Sequence, residues 1–224
     1  MPHRRCCCFR SDARGLVVRA VLKAAQSPRT DVTMRILLAR AVVSLKQVRE
    51  AQALLPLLIR DSRITSAGKA VVVECLYEVK CIRELVELAC NQTEEESVRE
   101  LAVSALRSLQ DVKGLVEILG RLGPRNKVSD KAFNEVLELA PYHELERIAT
   151  EPGSAQGAQL VAVMLLGSFD QKTVLHSIAC NEGAPIRARW TSWVGLLRKM
   201  TETNALAGCG KIDPRAVFLS VSRH

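Results

Sequence analysis

Apolar residues recur along this chain with two periods. Within short stretches they fall three and four apart. Val98, Leu101, Ala102, Ala105, Leu106 and Leu109 form one stripe, and Leu115, Ile118, Leu119 and Leu122 form a second. That spacing puts side chains on one face of an α-helix, where a half-buried strand would alternate. The two stripes meet at Gln110-Asp111, a short polar turn, so the segment predicts a helical hairpin. On a longer scale the pattern returns every thirty residues: ELVELA (84–89) is followed by GLVEIL (114–119). In rows of thirty from residue 31, one column reads Leu55, Leu85, Leu115, Leu145, Leu175. Three residues on, it reads Leu58, Leu88, Ile118, Ile148, Ile178. Earlier in each row stand Val42, Val72, Ala102, Ala132, Ala162, followed by Val43, Val73, Val103, Phe133, Val163. A sixth row keeps part of the pattern: Trp193 falls beneath Val163, but Gly208 falls beneath Ile178.

Start signals sharpen the helices. Thr93-Glu94-Glu95-Glu96 fits a capping box with Thr93 as N-cap and Glu96 reaching back, and acids there complement the helix dipole. Asp170 after Phe169, Ser129-Asp130, and Pro185 at a first-turn position mark further starts. A lone hairpin cannot bury both faces of its stripe, whereas stacked hairpins cover one another. The reading is an all-α, right-handed α-solenoid of about six 30-residue hairpins over residues 31–210. Residues 1–30 form a basic N-terminal segment in which GLVVRAVLKAAQ (15–26) is an amphipathic capping helix. Residues 211–224 form a C-terminal capping helix that starts at Asp213-Pro214.

The row SVRELAVSALRSLQDVKGLVEILGRL (97–122) resembles the short HEAT repeats of the phycocyanobilin-lyase-like type. The matching residues are Val98-Arg99, the small Ala102 and Ala105, Asp111 in the turn, and Leu115 to Leu119. Ile186-Arg187 opens row six similarly, and Pro56 resembles the proline common near the start of the second helix in this type. Rows one, two and four lack the turn aspartate, which implies degenerate hairpins there. The resemblance covers about residues 31–200 and implies architecture rather than activity.

Composition agrees with close-packed helices: 48% of residues are hydrophobic but only 4% aromatic. No apolar run approaches the roughly 18 residues needed to span a bilayer. Charge is uneven. Arg4, Arg5, Arg10, Arg14, Arg19, Lys23 and Arg29 against Asp12 give residues 1–30 a charge of +6 out of the formal +8. That segment suits a mitochondrial targeting sequence, a solvated tail, or weak membrane attachment by acylation of Cys6, Cys7 and Cys8. The eight cysteines, with no secretory segment before them, suit reduced thiols in an intracellular protein. The expected place is cytoplasmic, with mitochondrial as the alternative.

Candidate chemistry is sparse. No CxxC pair exists to favour zinc. GCGK (208–211) lacks the earlier glycine and the following Ser/Thr of a phosphate loop and reads as a helix-linking loop. Deoxyhypusine hydroxylase, a relative of this architecture, holds two irons with repeated His-Glu pairs. This chain has the single pair His143-Glu144, which cannot hold that centre. No catalytic, cofactor or metal residues are assigned, and cofactors are expected to be none. The second helices carry polar columns that read Arg83, Lys113, His143, Thr173 and Glu87, Glu117, Arg147, Ser177. Glutamates interrupt the arginines and aromatics are scarce, which suits a protein surface ahead of a nucleic-acid groove. Trp193 lies in a core column. Trp190 stands either outward as an interface anchor or beneath the C-terminal helix. The expected function is a non-catalytic protein-binding scaffold using Arg83, Glu87, Lys113, Glu117, His143, Arg147 and Trp190. RNA binding through the basic arm is the second reading. A HEAT-like lyase or glycosylase is the third, with no residues matching such a catalytic set.

Overall fold

The computed structural model describes residues 8–27, 29–123, 126–139 and 142–205, with the backbone alone for 8–14 and 197–205. The predicted 208–211 loop and 211–224 cap lie outside the described residues. Twelve helices and no strand occupy the described residues. First helices α2 (Val32–Ser44), α4 (Ser66–Glu78), α6 (Glu96–Ser108), α8 (Lys127–Leu139) and α10 (Gln156–Ser168) alternate with second helices. Those are α3 (Val48–Ile59), α5 (Ile82–Cys90), α7 (Val112–Leu122), α9 (Tyr142–Thr150) and α11 (Lys172–Cys180). Helix α1 (Cys8–Gln26) precedes them and α12 (Ile186–Ala205) follows. Each second helix packs on the first helix of the next pair, and first helices stack from α2 through α8 and from α10 to α12. Leu55, Leu85, Leu115, Leu145 and Leu175 are all fully buried, so that column is the spine of the core.

A repeated turn joins first to second helices. Lys46, Lys80, Gln110 and Asp170 each adopt a left-handed conformation, with φ of 55–58°. One residue on, the backbone N–H of Gln47, Cys81, Asp111 and Gln171 reaches back to the carbonyl of Val42, Leu76, Leu106 and Leu166. This is a Schellman closure, which satisfies carbonyls that the helix end leaves free. Rows one and two make it without the turn aspartate, so their hairpins are regular rather than degenerate. Asp111 serves the following helix instead: its carboxylate accepts from the Gly114 N–H and caps α7.

Row one is out of step by about one helical turn. Lys46 and Lys80 are 34 residues apart, while Lys80 and Gln110 are 30 apart. The structural mates of Val72 and Val73 are therefore Leu38 and Ala39, rather than Val42 and Val43. The extra turn sits at the start of α3, which has 12 residues where α5, α9 and α11 have 9. Pro56 consequently lies deep inside α3 rather than near its start.

Several expected starts are corrected. The N-cap of α6 is Glu95, not Thr93, and it makes no side-chain cap bond. The Thr93 hydroxyl instead donates to Asn91 Oδ1, inside the turn between pairs. Asp61, Asn91 and Asn181 recur in that turn, each accepting from the N–H two residues on. Ser129 is buried within α8, Asp170 occupies the left-handed turn position, and Pro185 precedes α12.

A ladder of polar side chains, buried except for the half-buried Arg189, ties successive units together. Arg35, Lys69, Arg99, Gln159 and Arg189 each stand fourth in a first helix. Arg35 Nε donates to the Ala25 carbonyl at 2.8 Å, Arg99 Nε to Ala89 at 3.0 Å, and Arg189 Nε to Ala179 at 3.4 Å. Each acceptor is the penultimate residue of the preceding helix. Two of these arginines also reach forward: Arg35 to Asp61 at 2.5 Å, and Arg99 to Asn126 at 3.5 Å. Hydrogen bonds from Arg63 above all hold the Asp61 carboxyl well below the usual carboxylate range, and Arg35 adds to them. Lys69, with a single charged nitrogen, makes only the forward link, to Glu94 at 2.5 Å. Because Ala25 occupies the place of Ala89 and Ala179, α1 stands where a second helix would precede α2. Among the described residues, α1 is followed by five full pairs and then by α12.

The regular stacking changes at row four. Ser129 takes the ladder position, too short to span it as an arginine does. Among the described residues α10 leaves α8 and packs on α7 instead. Gly120 of α7 and Gly157 of α10 allow this approach: a Cβ at Gly120 would lie 2.6 Å from the Gly157 backbone.

Two sets of substitutions test these contacts by chemical denaturation. Arg99→Met should cost about 2–3 kcal/mol, because it strips a charge-assisted bond from a buried carbonyl. Arg107→Met should cost under about 1 kcal/mol, because its Glu135 and Glu138 pairs sit at a half-exposed side chain. Gly120→Ala should destabilise by about 1–3 kcal/mol through overpacking. Lys80→Gly should do the reverse by about 1 kcal/mol, relieving a left-handed residue.

Candidate functional site

The second helices bring the predicted polar columns onto one set of surfaces, but most of those charges are already matched. Arg121 of α7 donates to Glu87 of α5 at 2.9 Å and to Glu117 of its own helix at 2.6 Å. Lys113 of α7 reaches Glu151 at 2.8 Å, at the end of α9. Arg147 binds Glu144 one turn back and lies 3.7 Å from Glu151. These pairs have half-exposed partners and belong to the range of about 0–1 kcal/mol each, so they set register more than stability. Arg147 holds the Glu144 carboxyl below its ordinary value, and Lys113 does the same for Glu151.

The predicted residues therefore divide. Glu87, Glu117, Lys113 and Arg147 belong to inter-helix networks. Arg83 and His143 are exposed and enter no ion pair among the described residues. Trp190 stands outward at 68% exposure, and Trp193, expected in the core, is 44% exposed. The pattern reading missed Arg121 and Glu151, which organise both networks. Their signal is local: Glu117 and Arg121 are four apart on one helix, as are Arg147 and Glu151.

A cleft of about 450 Å³ opens between α3, α5 and the near side of α7. Pro56, Ile59 and Leu88 give it an apolar base. Glu84, Glu87, Arg60 and Arg121 supply charge of both signs around it. Arg60 and Glu84 make no ion pair within 4 Å among the described residues. The proline inside α3 removes one helix N–H donor. Glu94 also lines the cleft, but Lys69 holds its carboxylate. Two unmatched opposite charges over an apolar base can hold a peptide side chain and orient its flanking charges.

Burial pushes the thiols of Cys75, Cys81 and Cys90 up to about 11, so they are protonated at neutral pH. Cys180 Sγ lies 3.8 Å from Nε2 of His176, both exposed, at the C-terminal end of α11. No cluster of His, Cys, Asp and Glu among the described residues could hold a metal ion. No described helix is long and apolar enough to cross a membrane. No protein-family model matches the chain, and no curated protein matches it. The pairwise packing of the helices is consistent with helical repeats.

Among the described cysteines, alkylation separates the exposed Cys180 from the buried Cys75 and Cys81 and the half-buried Cys90. In the native protein near neutral pH, a maleimide should modify Cys180 well before Cys75, Cys81 and Cys90. Site-resolved mass spectrometry over a time course checks the order.

Proposed function

We propose that this protein is a non-catalytic scaffold or adaptor, a HEAT-like α-solenoid that binds a protein segment. The cleft between α3, α5 and α7 is the observation that carries this reading. Its apolar base suits an aliphatic or aromatic anchor on the partner, and Arg60 and Glu84 suit flanking charges of opposite sign. Arg83, on the same helix as Glu84 and without an ion-pair partner among the described residues, extends the recognising surface. The mixed sign weighs against a nucleic-acid groove, where positive charge should run unbroken.

The test is affinity purification of the tagged full-length protein from its native cells, with and without nuclease. Protein partners that survive nuclease support the scaffold. The double reversal Arg60→Glu/Arg83→Glu should then reduce recovery of those partners at least several-fold. Lys113→Glu mainly breaks an internal pair and should affect stability before binding. Partners lost with nuclease would overturn the reading in favour of nucleic-acid binding. Unchanged recovery by the double reversal would place the binding surface elsewhere.

A further inference from the structure

Among the described residues, α2 has no first helix packed before it and α12 has none after it. Each therefore leaves open a face that inner first helices turn to one another. The ladder residues fix which positions correspond. Trp190 follows Arg189 as Ile36 follows Arg35 and Glu100 follows Arg99. Inside the stack these positions look forward onto the next first helix. A Cβ at Gly68 would lie 2.8 Å from Ile36 Cδ1, and Glu100 lies 4.0 Å from Lys131. Ile186 opens α12 as Glu96 opens α6, and Glu96 reaches forward to Lys127 at 3.0 Å. On α12 both forward positions are apolar, with Ile186 69% and Trp190 68% exposed.

The backward face of α2 is the other half of that joint. Gly68 and Lys131, which receive the forward contacts, correspond on α2 to Met34 and Leu37. Met34 is 50% and Leu37 55% exposed, whereas Val98, the mate of Met34 in α6, is buried. Met34, Leu37, Ala41 and Leu45 fall at i, i+3, i+7 and i+11, along one stripe of the helix. Leu45 precedes the left-handed Lys46 as the buried Val79 precedes Lys80, yet Leu45 is exposed. The joint between α6 and α8 sets glutamate against lysine at these positions, and here both halves are apolar. We propose that a second copy of this chain docks its α2 on α12, so that Trp190 seats between Met34 and Leu37 and the helix stack runs on from copy to copy. The tryptophan is an aromatic anchor in an apolar seat, and neither Trp190, Met34 nor Leu37 brings a charge to be desolvated. The contact is heterologous: each copy offers a different face at either end, so association continues into a ring or a filament instead of closing at two copies. The formal charge of +8 on each copy opposes the contact, so added salt strengthens it.

Sedimentation velocity of the full-length chain, from micromolar to hundreds of micromolar, reads the assembly. The wild type should pass from monomer to species beyond a dimer as concentration rises, and more readily at higher salt. Trp190→Glu and Leu37→Glu change exposed side chains and should each weaken association by about tenfold or more, with far-UV helicity retained. An equal mixture of the two variants should form a dimer and stop there, because the intact α12 face of one meets the intact α2 face of the other. The milder Trp190→Gln and Leu37→Gln should act the same way by less, which keeps the test valid if a charged variant misfolds. A wild type that stays monomeric throughout would overturn the proposal. Tryptophan emission protected from acrylamide in that monomer would assign the α12 face to the chain itself, and quenchable emission would leave it to a different protein. A mixture that stays monomeric would overturn the proposal too. So would association that Trp190→Glu abolishes and Leu37→Glu leaves intact, which assigns a symmetric contact between two α12 faces.

Discussion

A stack of short helices has many helix ends, and each end leaves carbonyls that must find donors or water. Here the donor comes from the next unit. An arginine one turn into a first helix bends back to the penultimate carbonyl of the preceding helix and forward to the next inter-pair turn. Only a planar, forked cation can make both contacts at once, which is why Lys69 makes one. The alanines that receive the bond, Ala25, Ala89 and Ala179, are all buried. Where the arginine is present, this one bond satisfies the end of one helix and fixes the next beside it.

Much of this was legible before any coordinates. The leucine column at 55, 85, 115, 145 and 175 correctly marked the second helices, because a fully buried position tolerates little variation in shape. Row one misled in part. Its Val42 and Val43 matched the columns by residue type, yet four inserted residues shift the register of α2. A shift of about one turn returns similar residues to the same face, so periodicity alone cannot detect it. Turn aspartates misled in the other direction. The closure between helices depends on backbone geometry, and Lys80 adopts it as Gln110 and Asp170 do. A capping box at Thr93 failed because Asn91 claims the threonine hydroxyl for its own turn.

The surface was harder to read. Sequence columns identified which charges share a face, but not which of them satisfy one another. Arg121 occupies a position where Asn91 and Glu151 stand in neighbouring units, so it broke the column and escaped notice. Its two glutamates nevertheless lie within reach across helices. Arg60 and the cleft arise from the proline-bearing end of α3 and the spacing of three helices, neither of which leaves a repeating mark. The residues above Trp190 in its column are mostly polar and do not fix its direction. Only the outward face of α12 decides it.

The close approach of Gly120 to Gly157 has a further meaning. In a simple array each unit touches only its neighbours, so it can fray from an end one unit at a time. The α7–α10 contact joins the third unit directly to the fifth and skips the fourth. Loss of α10 therefore uncovers α7 as well as α9, and the middle of the chain opens as one block. Hydrogen exchange in such a molecule divides into a shared central foldon and a more independent N-terminal arm, rather than grading evenly from either end.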